Sequence, residues 1–143
     1  MKALSLLPMY AEAIALGIKT IELRTWQTKH RGDLLICSST NERASYRRYS
    51  TAGHAIAVVN LVDIVPYSTE HAAAADVEPD FQGRYSWLLD NVRPIKPFPV
   101  KGKLNVFEVD ASPEYLDLQG DDVYWYWVES GLLEIHPDLL EDA

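Results

Sequence analysis

Gly17-Ile18-Lys19-Thr20-Ile21-Glu22-Leu23-Arg24-Thr25-Trp26 is the most informative stretch of this 143-residue chain. Gly17 suits the left-handed turn that ends a helix, because it has no Cβ to clash. Thr20–Arg24 then alternates polar and apolar residues, the period-two pattern of a half-buried strand. Alternation sets Glu22 and Arg24 on one face, opposite Ile21 and Leu23. Lys19 sits at the turn, from which its long stem can carry the amine back toward Glu22. A Lys–Glu–Arg cluster offers donors for a phosphate or a carbonyl, and an acceptor for the amino group of a base edge. The same spacing also fits a solvated strand face with ordinary ion pairs.

Working outward, Lys2–Leu7 reads as a short strand, and Pro8 opens a helix over Met9–Leu16. Trp26–Gly32 is a polar loop, Asp33–Ser38 a buried strand, and Asn41 can cap a short helix to about Tyr49. His54–Val65 has a strand pattern long enough to require a bend or bulge. Residues 66–83 read as a loop with a helical turn at His71–Ala75. Tyr85–Ile95 and Asn105–Val109 are two further strands, joined by a rigid extended connection over Lys96–Gly102, where prolines fix φ and remove donors. After Pro113, Asp121–Ser130 reads as a helix ended by Gly131. This order is not βαβα, and it predicts an α+β fold, a small mixed β-barrel with short peripheral helices.

Length predicts one domain with a core that needs no disulfide or metal staples. With 48% hydrophobic and 24% charged residues, a disordered chain is excluded. The single cysteine, Cys37, lies in an apolar run and reads as core filling in a reducing, cytoplasmic setting. No apolar run approaches the roughly 18 residues of a membrane span, so neither a span nor a signal peptide is expected. Four scattered histidines (His30, His54, His71 and His136) lack ligand spacing, so no metal is expected, and no glycine loop or GxSxG elbow announces a cofactor or serine chemistry. Charge is divided along the chain: residues 1–54 hold eight Lys/Arg against four Asp/Glu, whereas 55–143 hold five against seventeen. A basic half keeps nucleic acid within reach of a chain whose net charge is −8, because a ligand meets the local field.

Gly17-Ile18-Lys19-Thr20-Ile21-Glu22-Leu23-Arg24 resembles the Gly-x-Lys-x-x-Glu-x-Arg signature of ASCH domains, named for homology to activating signal cointegrator 1. The likeness continues through Thr25–Gly32 and includes Leu6-Leu7-Pro8-Met9-Tyr10-Ala11, Leu61-Val62-Asp63 and Pro97-Phe98-Pro99-Val100-Lys101-Gly102. It spans residues 1 to about 110, leaving 111–143 as an acidic aromatic extension packed on the same domain. The resemblance implies a PUA-like barrel with a cleft associated with RNA, lined by Lys19, Glu22 and Arg24, with Lys101 among its ligand contacts. One branch of that family removes the acetyl group from N4-acetylcytidine with a lysine, a threonine three residues later and a distant glutamate. Lys19 matches the lysine, Glu22 stands at the threonine position, and Glu70 and Glu78 are candidates for the glutamate. Other members are associated with RNA cleavage, for which Lys19 and Glu22 are the catalytic candidates.

Further ligand contacts are expected from stacking aromatics Trp26, Tyr85 and Trp87, each an alternative candidate for core packing. Ser38 and Ser39 lie where a strand gives way to a helix, a place for anion binding or for simple capping. Arg43 and Arg47, at i,i+4 on one helical face, are candidates for phosphate contact or for a solvated surface. Three functions stay open: binding of RNA or a nucleoside-like small molecule, hydrolysis of a modified nucleoside or of RNA, and protein interaction through the acidic tail.

Overall fold

The computed structural model describes residues 1–40 and 51–133. The helix expected from Asn41, with Arg43 and Arg47, lies outside the described residues. Six strands occur within them: β1 (Lys2–Leu6), β2 (Ile21–Arg24), β3 (Gly32–Ser38), β4 (His54–Pro66), β5 (Tyr85–Pro99) and β6 (Phe107–Glu108). Two α-helices accompany them, α1 (Pro8–Ala15) and α2 (Asp121–Glu129). A 3-10 turn at Thr69–His71 replaces the helical turn expected at His71–Ala75.

The strands form one mixed sheet in the order β2-β5-β4-β3-β1-β6. β1 and β3 run parallel across the α1 connection, and every other neighbouring pair is antiparallel. Among the described residues the sheet does not close into the barrel read from the sequence. β2 has four residues and β6 two, so both ends of the ladder are short.

Period-two burial explains the core. On β3, Leu34 and Ile36 join a cluster with Leu4, Leu6, Ala11, Ile14 and Trp87, whereas Leu35 and Cys37 join a second cluster with Ala3, Ile95 and Phe107. β3 is therefore apolar on both faces, which is why Leu34–Cys37 reads as an unbroken hydrophobic run. Burial pushes the Cys37 thiol up to about 12, so it is an inert side chain. β4 achieves its length through shifts of register against β5, one of them between Ala55 and Ala57. At that shift β5 departs from the sequence reading and continues to Pro99. β5 bulges between Pro94 and Phe98, whose partners on β4 are Ala57 and Ala55, and the bulged stretch bonds to residues 114–116 instead: Lys96 N–H donates to Glu114 O (2.8 Å), and Leu116 N–H donates to Pro94 O (2.9 Å).

α2 brings the acidic segment into the main core. Val123 and Trp127 are both fully buried within the cluster that holds Ile14 and Trp87. Trp125, two residues before Trp127 and so on the other side of the helix, is 50% exposed. We expect Trp127→Ala to cost about 3–5 kcal/mol of unfolding free energy in urea titrations, and Trp125→Ala less than about 0.5 kcal/mol. Equal effects of the two substitutions would show that α2 does not anchor through Trp127.

Candidate functional site: a charged pair at the floor of an aromatic cleft

Site construction begins at the end of α1. Gly17 adopts φ +79°, and the chain reverses through a double-bonded turn. Gly17 N–H donates to Ile14 O (3.0 Å) and Ile18 N–H to Ala13 O (2.9 Å), the pairing that satisfies a helix's last carbonyls. Lys19 N–H also reaches Ala13 O (3.1 Å), which fixes where the lysine leaves the turn. β2 follows at once, with Glu22 opposite Trp87 and Arg24 opposite Tyr85 on β5.

Lys19 and Glu22 meet. Lys19 Nζ lies 3.5 Å from Glu22 Oε1, and Arg24 Nε lies 2.9 Å from Glu22 Oε2. The Lys19 and Glu22 side chains are only 2% and 7% exposed, so this is no solvated strand face. A buried ion is tolerated only with partners. Lys19 has two more, a 2.5 Å hydrogen bond to Ala75 O and the Tyr10 ring, whose centroid is 5.5 Å away. Burial lowers the Lys19 pKa from its ordinary value, against the opposing pull of Glu22.

The cluster forms one wall of a cleft of about 700 Å³. Tyr10, Val77, Phe81 and Leu104 give it an apolar side, while Ser5, Ser39, Thr40, Lys101, Gly102 and Lys103 add polar groups. Among the described residues that line it, Glu22 is the one carboxylate, against four cations: Lys19, Arg24, Lys101 and Lys103. The cleft is thus locally positive in a chain of net charge −8.

Of the residues singled out in the sequence, Lys19, Glu22, Arg24, Ser39 and Lys101 line this one cleft. The three expected stacking aromatics do not. Trp87 is fully buried, with its indole N–H on Trp26 O at 3.2 Å and its ring edge-on to Trp26 at 4.9 Å, so no face is open to a base. Trp26 and Tyr85 pack at the margin of the same core. Ser38 is 1% exposed and paired with Leu6 in the sheet, behind the cleft rather than in it. Glu70 accepts from the Ser68 hydroxyl at 3.1 Å, and neither it nor Glu78 lines the cleft.

The accessible aromatic rings among the described lining residues are instead Tyr10 and Phe81, 38% and 42% exposed. For Tyr10 the local pattern points the other way: it stands one helical turn before the buried Ile14, a spacing that reads as core-facing, yet its ring remains accessible. Phe81 lies in a loop segment without periodicity, and nothing local marks it.

Comparison with known proteins agrees with this architecture. The sequence profile of the ASCH domain matches residues 4–99. The chain belongs to the ASCH domain family. Among solved structures, the ASCH protein of Zymomonas mobilis is similar at a TM-score of 0.52 and 19% identity, covering 90% of this chain and 93% of that one. Two single-substitution mutants of that protein give TM-scores of 0.51 and 0.50 at 18% and 19% identity, covering 90% and 69% of this chain and 94% and 75% of theirs. At such identity the likeness establishes the shared fold alone. No curated protein matches. Among the described residues no group of three or more His, Cys, Asp or Glu is placed to hold a metal ion, and no helix is long and apolar enough to cross a membrane.

The lowered Lys19 pKa has a measurable consequence. Between that value and the unfolded 10.5, the folded ASCH chain binds fewer protons than the unfolded chain, so its stability rises with pH across the interval. We expect Lys19→Met to remove this rise in urea titrations stepped toward pH 10.5, with tyrosine titration common to both proteins. Identical slopes would show a lysine titrating at its ordinary value.

Proposed function

We propose that the cleft binds RNA or a nucleotide-like ligand. The observation that carries this reading is the buried Lys19–Glu22–Arg24 cluster facing a cleft that also holds two aromatic rings, Tyr10 and Phe81, and two further cations, Lys101 and Lys103. A base needs a flat apolar surface and polar groups at its edge, and base–aromatic stacking is worth roughly 1–3 kcal/mol. Tyr10 and Phe81 offer such surfaces. The cations suit the phosphates that accompany a base, and a carboxylate held between two cations is a fixed acceptor for an exocyclic amino group. Regulation or processing of RNA in the cytoplasm is the setting that suits such a protein.

A second reading, hydrolysis of a modified nucleoside such as N4-acetylcytidine, is favoured by the Lys19 amine, which burial makes easier to deprotonate beside a carboxylate. It requires chemistry without a threonine at position 22. A third, protein interaction through the acidic segment, has the exposed rings of Trp125 and Tyr115 as accessible anchors among the described residues.

Titration of short single-stranded RNA and of N4-acetylcytidine, followed by amide NMR with the ligand spectrum recorded in parallel, tests these readings. We expect shifts at Tyr10, Lys19–Arg24 and Phe81, affinity that weakens with salt, and a loss of about tenfold or more on Arg24→Ala. Salt-independent binding, or shifts elsewhere, would overturn the binding reading. Turnover that persists in Lys19→Ala would overturn the hydrolytic one.

A further inference from the structure

We propose that the Ser5 end of the cleft is a phosphate subsite formed by Arg24, Lys101 and Lys103, so that the ligand is a nucleotide rather than a free nucleoside. This rests on the cleft reading above and adds where, and by which atoms, a phosphate is held.

Ser5 links the segments that carry these cations. Arg24 uses Nε for Glu22, while its Nη edge has a single long contact, from Nη2 to Ser5 O at 3.4 Å. Gly102 approaches Ser5 from the other side: a Cβ built on it would lie 2.6 Å from Ser5 Oγ. Absence of a side chain at 102 thus brings the backbone between Lys101 and Lys103 against β1, next to the residue that Arg24 touches. All three cations line the same cleft.

Two of the three, Lys101 and Lys103, have no carboxylate partner among the described residues, as is also true of Lys29 and Arg84 outside the cleft. Lys2, Arg31, Arg93 and Lys96 each hold a carboxylate within 4.0 Å. Lys101 and Lys103 are exposed and form no ion pair among the described residues, in a chain with 21 acidic and 13 basic side chains. Ser39, on the same cleft, has a hydroxyl without a hydrogen-bond partner. A guanidinium edge, two ammonium groups and a hydroxyl are the donors a phosphate takes, the guanidinium in bidentate fashion and the lysines as point charges. Tyr10 and Phe81 leave room for the attached base in the apolar part of the cleft.

The phosphate can be a terminal monoester or a backbone diester, and calorimetric titration separates them. The four ribonucleosides, their 5′-monophosphates and the matching dinucleoside monophosphates are compared at low salt, with wild type and the Lys101→Gln/Lys103→Gln double variant. We expect a phosphorylated form of at least one base to bind about tenfold or more tightly than its nucleoside. That ratio should shrink severalfold in the double variant and fall with added salt. Advantage of the monophosphate identifies a terminal phosphate, and advantage of the dinucleotide a backbone one. Equal affinity for nucleoside and phosphorylated forms, or a ratio unchanged in the double variant, overturns the subsite while leaving the cleft reading intact. Binding of none of these ligands, nor of the short RNA above, overturns both.

Discussion

An ammonium group out of water needs acceptors on every side, and the arrangement around Lys19 is the constraint on which the cleft depends. Glu22 lies 3.5 Å away, Ala75 O closes a 2.5 Å hydrogen bond, and the Tyr10 ring covers the remaining approach. These partners come from β2, the segment after the 3-10 turn, and α1. Thr20 and Ile21 N–H groups both donate to Ala74 O (2.9 and 3.1 Å), so the backbone beside the lysine is stitched to that segment as well. One buried charge thereby holds together three parts of the chain that the sheet alone leaves separate. The segment it secures leads on to Val77 and Phe81, so the polar cluster and the apolar wall are placed by one set of contacts.

The sheet supplies the rigid reference for this arrangement. β3 is buried on both faces, and α1 packs against β3 and β4, so the helix end carrying Gly17 rests on a fixed surface. α2 covers another part of the same cluster, away from the cleft. The described part of the acidic C-terminal segment, residues 111–133, contributes nothing to the cationic lining, so an acidic protein can present a local positive field there.

Much of the fold was legible in the sequence because its signals are local. Pro8 and Gly17 bracket α1, alternation marks β2, and the run Leu34–Cys37 announces a doubly buried strand. Bulges were less legible. Prolines in β5 read as the end of a strand, yet Pro94 and Pro99 keep register partners on β4, and the bulge between them bonds to residues 114–116. The charged core of the site was visible in the spacing of Lys19, Glu22 and Arg24. The aromatics were not: Trp87 matches Glu22 in register, but its size and position in the middle of the sheet send it into the core. Accessible rings come from α1 and a loop, where exposure depends on tertiary neighbours that no local pattern records.

The bond from Lys19 to Ala75 ends on a backbone oxygen, and any residue type carries one. What position 75 must preserve is a path of the chain and a small buried side chain, since Ala75 is fully inaccessible. A comparison of relatives that looks for paired changes in side-chain chemistry would find no partner for Lys19 there. Insertion or deletion between residues 72 and 77 would matter far more than substitution, because shifting the register would remove the carbonyl from the amine. Tolerance in this part of the protein is therefore set by length rather than by letters.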